Sequence, residues 1–213
     1  VPGAMLMLHK HADDDMEPYH RKTCKRYDIE GQAHCLTFSC FRRQPFLSRP
    51  RCCQWLAEAI EAGRTSRLYD LLGFVFMPEH VHVVVLPRPE VRISRILVAM
   101  KAPVAKRAVL WIRANAPDSL MSMEDRQPNG QCHYRFWQRG GGYDRNLRTT
   151  EDVREKIRYI HANPIRRGLV ATADDWHWSS YRAWQTGEDV PIPIDREVLI
   201  RLRKYSCAPV KIG

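Results

Sequence analysis

One stretch constrains this chain more than any other: Phe74-Val75-Phe76-Met77-Pro78-Glu79-His80-Val81-His82-Val83-Val84-Val85-Leu86-Pro87. Two apolar runs, Gly73 to Met77 and Val81 to Leu86, meet at a Pro-Glu step. Their β-branched and aromatic content, at strand length, favours paired buried strands over a helix. Side chains alternate across a strand, so His80 and His82 project from one face while Val81 and Val83 project from the other. Neutral imidazole is the commonest protein ligand for a divalent metal, and this spacing presents two ring nitrogens to a single ion. The pattern alone fits equally well a pair of half-buried histidines that satisfy local hydrogen bonds.

The 213 residues, 44% of them hydrophobic, suffice for one substantial core. The expected organisation is a flexible segment of mixed charge over residues 1–30, a main domain over 31–185 and a helical tail over 186–213. Lys and Arg total 34 against 24 Asp and Glu, a formal charge of +10 and a pI of about 9.5. That balance points to a phosphate-bearing partner, although a merely soluble basic protein carries the same signature. The sequence has neither an eighteen-residue apolar run nor a hydrophobic signal core, so no membrane association and a cytoplasmic location are expected. Seven cysteines without a C-x-x-C pair exclude a zinc finger or a disulfide framework and read as small hydrophobes.

Alternation from Gln32 to Phe41 predicts a first strand, and helical spacing of Trp55, Leu56, Ala59 and Ile60 predicts a helix over 51–62. Strands over 68–77 and 80–86 follow. A long helix runs from Ile93 to about Ala116, with Pro103 expected to kink or divide it. Residues 119–132 read as a loop and Tyr134 to Gln138 as a short strand. A helix capped by Thr149 or Thr150 buries Val153, Ile157 and Ile160 and ends at Asn163-Pro164. Trp176, Trp178, Tyr181 and Trp184 could stack unpaired bases but read more readily as a small core that pins the tail, and a last helix is expected over 195–205. The order βαββαβ with an extra helix is the α+β, ferredoxin-like split βαβ pattern, a sheet with helices on one face and one additional helix.

Tyr159 and Asn163 stand four residues apart on one face of that extra helix, offset from its buried stripe. The Asn163 amide oxygen is a hard ligand able to complete a two-histidine metal site; it is equally a residue that closes a helix before Pro164. The set Phe76-Met77-Pro78-Glu79-His80-Val81-His82, then Phe136-Trp137-Gln138-Arg139, then Tyr159-Ile160-His161-Ala162-Asn163-Pro164 resembles the HUH single-tyrosine transposases, most closely the REP-associated tyrosine transposases. The resemblance covers roughly residues 26–184. It implies a divalent metal, Mg2+ or Mn2+, held by His80, His82 and Asn163. It also implies that Tyr159 is the catalytic nucleophile and the extra helix the catalytic helix. The implied activity is nicking and joining of single-stranded DNA at palindromic, hairpin-forming repeats through a 5′-phosphotyrosine. A segment before the first strand, here Arg26, Tyr27 and Asp28, would help read a short guide sequence beside the hairpin.

Tyr143, after three glycines, is the internal rival for the nucleophile, but position 147 is Leu, so it has no amide partner four residues on. Gly140 to Gly142 read as a hinge or a flexible turn. Arg42, Arg43, Lys101, Lys106, Arg107, Arg166 and Arg167 are the basic residues expected to track phosphates. Strand alternation assigns Glu79 to the face opposite the histidines, without a catalytic role. Two other functional classes fit the same residues: a non-catalytic hairpin-binding protein of this fold, and an HUH replication initiator or relaxase. The chain is expected to act as a monomer or a homodimer on single-stranded or hairpin DNA.

Overall fold

The computed structural model describes residues 28–187 and 190–199. Strand β1 (Ala33–Ser39) lies between β3 (His80–Pro87) and the edge strand β6 (Tyr143–Leu147), and β2 (Tyr69–Phe76) flanks β3 on its other side. All three pairings are antiparallel. This strand order, with β6 as the fourth strand of βαββαβ, is that of a ferredoxin-like sheet.

Alternation divides the core in two. Leu36, Phe38, Phe74, Phe76, Val81, Val83 and Val85 point to one face, beneath α1 (Pro50–Thr65) and α2 (Ile93–Asn115). Ala33, Cys35, Leu72, Val75, Val84 and Leu147 point to the other, beneath α3 (Thr150–His161). The helices thus sit on one face with one additional helix opposite, as the sequence implies. Pro at the first turn starts α1 without losing a hydrogen bond, and α2 passes through Pro103 undivided. For α3, the Thr149–Asp152 capping box satisfies the first amide groups. Val153, Ile157 and Ile160 are fully or almost fully buried. At about 1.5–3 kcal/mol for each such side chain, their burial docks the helix on the sheet.

The fourth strand departs from expectation. Phe136 and Trp137 pack in the core against Phe46 and Phe38, and only an isolated bridge, Cys40↔Trp137, continues the ladder of β1 there. The chain then makes the Gly140–Gly142 excursion and rejoins β1 with Thr37↔Tyr143. The polar sequence of β6 carries no apolar alternation because it forms an exposed edge. Residues 119–132 are also more ordered than a loop: the 3-10 turn Pro117–Met123 leads into a hairpin of β4 (Glu124–Arg126) and β5 (Cys132–Tyr134).

The opposite edge is closed by the tail. Val75 bridges Ser179, and the indoles of Trp176 and Trp184 donate to the carbonyls of Phe76 and Leu72, each at 2.9 Å. Short helices α4 (Asn163–Arg166) and α5 (Tyr181–Gln185) complete this region. Of the helix expected over 195–205, Val198 and Leu199 are helical and the remainder lies outside the described residues. Among the described residues no helix is long and apolar enough to cross a membrane.

Candidate active site

His80 and His82 project on the α3 side of the sheet, in register with Ser39 and Thr37 of β1. Their Nε2 atoms are 3.0 Å apart, with the rings edge-on. His82 Nδ1 lies 2.8 Å from Thr37 Oγ1, and His80 Nδ1 lies 3.0 Å from Glu79 Oε1. Burial, seconded by His80 and Lys156, pushes the His82 pKa down to about 3. Burial lowers His80 as well, with Glu79 opposing it. Both rings are therefore neutral near pH 7. A carboxylate only accepts, so His80 donates from Nδ1 and presents a lone pair at Nε2. The Thr37 hydroxyl both donates and accepts. When it donates to His82 Nδ1, His82 Nε2–H donates to His80 Nε2; when it accepts from Nδ1, a second lone pair faces the first.

Two neutral imidazole lone pairs so placed repel one another unless a cation lies between them. Two nitrogens each about 2.1 Å from one ion, at a right angle, stand about 3.0 Å apart, so the residues present fit a divalent metal. Among the described residues no group of three or more His, Cys, Asp or Glu side chains is arranged to hold a metal.

Glu79 corrects the sequence expectation. The ladder begins at His80, so Glu79 belongs to the turn before it, where strand alternation does not apply. Its backbone carbonyl accepts from Cys40 N–H at 2.9 Å, and its side chain turns toward the histidines. Arg167 Nη1 donates to Glu79 Oε1 at 2.8 Å, and Arg43 Nη2 stands 4.0 Å from the same oxygen. Burial alone would raise this carboxyl, but Arg167 and His80 outweigh it and the pKa is lowered. Arg167 N–H also donates to the Asn163 carbonyl at 3.0 Å. One chain of contacts thus ties the Asn163 turn to Glu79 and Glu79 to His80.

Tyr159 is 44% exposed on α3. Its ring lies between two cations, with Lys156 Nζ at 4.3 Å and the Arg166 guanidinium at 4.8 Å from the centroid. Lys156 is also one of the charges that depress His82, so it lies within electrostatic range of the imidazole. Among the described residues no hydrogen bond joins the Tyr159 hydroxyl or the Asn163 amide to either imidazole. Neither Thr37 nor Lys156 stands out from the sequence as a site residue. The helical spacing of Lys156 and Tyr159, three residues apart, was the one available signal.

The basic residues separate into groups. Arg42 and Arg43 occupy a left-handed turn beside the histidine strand, both exposed. Arg166 and Arg167 belong to the Tyr159 side, as above. Lys101 donates to the Gly140 carbonyl at 2.8 Å, and Arg107 pairs with Glu58 and covers Trp55; these, with the exposed Lys106, lie on α2 across the sheet from the histidines. Arg26 and Tyr27 lie outside the described residues.

No family model matches the chain. A REP-associated tyrosine transposase of Escherichia coli (strain K12) is 26% identical over 161 residues, 74% of this chain and 81% of the relative. The solved structure of a REP-associated tyrosine transposase bound to a REP hairpin superposes with a TM-score of 0.59 at 23% identity. It covers 83% of this chain and 93% of that one. The fold is shared, and the resemblance seen in the motifs extends over most of the sequence.

Proposed function

We propose that this chain, similar in sequence and fold to the REP-associated tyrosine transposases, is a metal-dependent endonuclease and strand transferase for single-stranded DNA at hairpin-forming repeats. The observation that carries the reading is the pair of neutral imidazoles, Nε2 to Nε2 3.0 Å, on the sheet face against which α3, the helix of Tyr159, packs. His80, His82 and the Asn163 amide would hold Mg2+ or Mn2+, which when bound polarises the non-bridging phosphate oxygens. Tyr159 Oη attacks phosphorus in line. The Oη–P bond forms as the P–O3′ bond breaks, the phenol gives up its proton, and the 3′-oxygen leaves as a hydroxyl. Lys156 and Arg166 lie against the ring and offer positive charge to the phosphate that Tyr159 attacks. The phosphotyrosine retains the energy of the cleaved bond, so attack by a second 3′-hydroxyl reverses the step without another energy source.

Labelled hairpin DNA carrying single-stranded flanks, incubated with the protein and Mn2+, tests this reading. A DNA–protein adduct that survives denaturation is expected from the wild type and none from Tyr159→Phe. A second reading, a hairpin-binding protein without catalysis, is favoured by the absence of any hydrogen bond between the phenol and the imidazoles. Hairpin binding with no adduct under any metal would select it.

A further inference from the structure

The residue that rivals Tyr159 in the sequence lies in a telling place. Tyr143 pairs with Thr37, and Thr37 pairs on its other side with His82, so one row of side chains crosses β6, β1 and β3 on the α3 face. The bond from Thr37 Oγ1 to His82 fixes the direction in which this row points. Two strand spacings, about 10 Å, separate Tyr143 from the histidine strand. The apolar half of this face, Ala33, Cys35, Val84 and Leu147, is covered by α3. Tyr143 lies beyond that cover and is 52% exposed.

Its backbone is nevertheless held firmly. Gly142 has φ +73°, and a Cβ there would fall 1.9 Å from the Thr37 carbonyl oxygen. The glycine lets the chain press onto β1 one residue before Tyr143, so the expected hinge is instead a clamp at that position. Two residues further, Arg145 pairs with Cys35 and points to the same face, exposed. Among the described residues Arg145 has no carboxylate partner, whereas Arg107, Arg126, Arg135 and Arg139 are paired with Glu58, Glu124 and Asp125. An exposed aromatic ring on a closely held backbone thus stands beside a guanidinium that has no carboxylate partner among the described residues, at the rim of the histidine site.

We propose that the β6 edge is a binding subsite for an unpaired nucleotide adjacent to the scissile phosphate, its base stacked on Tyr143 and its phosphate against Arg145. The inference rests on the DNA-processing reading above. Base–aromatic stacking needs a ring face and no particular base, and Arg145 supplies the charge complement for the backbone. Tyr143 is a positioning residue here, and its hydroxyl takes no part.

Fluorescence anisotropy with two DNA probes tests the subsite: a hairpin with single-stranded flanks and the same hairpin blunt-ended. Wild type and Tyr143→Phe should bind the flanked probe alike. Tyr143→Ala should weaken it roughly 5- to 150-fold, the worth of one stacked base, and leave the blunt probe unchanged. Arg145→Gln should weaken the flanked probe more than the blunt one. Equal losses on both probes, or none, for Tyr143→Ala in a protein that binds hairpins and forms the adduct overturn the subsite alone. Failure of the wild type to bind either probe removes both the subsite and the reading beneath it. Loss of the adduct in Tyr143→Phe would make Tyr143 a chemical participant and overturn the stacking role. Appearance of a dimer that Arg145→Gln and Tyr143→Ala dissolve, with no change in DNA affinity, would assign the edge to self-association instead.

Discussion

Glu79 does at residue scale what no pattern in the sequence announces. Its carboxylate fixes the proton on His80 Nδ1 and accepts from Arg167, so the same atom orients a candidate ligand and holds the turn that carries Asn163. Outer partners of this kind typically affect metal affinity about 10- to 100-fold. Glu79→Gln keeps the shape and removes the charge. Isothermal titration with Mn2+ should show a loss of affinity in that range, with the thermal unfolding curve displaced far less than by a core substitution. Unchanged Mn2+ affinity would leave Glu79 as a structural ion pair only. The sequence made His80 and His82 legible because alternation holds inside a ladder. It misassigned Glu79 because the ladder starts one residue later, and a turn residue is oriented by its hydrogen bonds instead of by the pleat.

At the scale of elements, the helix that carries Tyr159 is held by its apolar stripe and by a buried junction at its end. His161, 5% exposed, lies 2.8 Å from Ser180 Oγ, and Ser180 bonds in turn to the backbone of Phe74 on β2. Burial pushes the His161 pKa down to about 4. The unfolded chain, with an ordinary imidazole near 6.5, therefore binds more protons between about pH 6.5 and 4. Stability is fully present above that window and is lost as pH falls through it. His161→Gln should remove this part of the acid sensitivity. Denaturant melts at pH 7.5 and 5 should show wild type losing more than the variant, by on the order of 2 kcal/mol. Equal losses would mean that His161 is not held neutral. Helices α1, α2 and α3 were readable because each buries a stripe at helical period. The fourth strand was not, for opposite reasons in its two parts: Tyr143 to Leu147 is a polar edge without an apolar face, and Phe136-Trp137 is apolar because it plugs the core.

For the molecule as a whole, charge and fold act together. The formal charge of +10 was visible at once, but not its arrangement. Arg107, Arg126, Arg135 and Arg139 are paired with carboxylates, while Lys156 and Arg166 flank Tyr159 and Arg145, at the sheet edge, has no carboxylate partner among the described residues. Affinity for flanked hairpin DNA should fall linearly with salt on a double-logarithmic plot, and Arg145→Gln should lower the slope by about one released counterion. A flat salt response would remove nucleic acid as the partner. The central claim is that Tyr159, carried on α3 over the face of the two imidazoles, is the nucleophile. The measurement that tests it most directly is a peptide map by mass spectrometry of the adduct formed with flanked hairpin DNA and Mn2+. The account places the phosphodiester on the peptide containing Tyr159, with nothing formed by Tyr159→Phe; a modified Tyr143, or normal nicking by Tyr159→Phe, would contradict it.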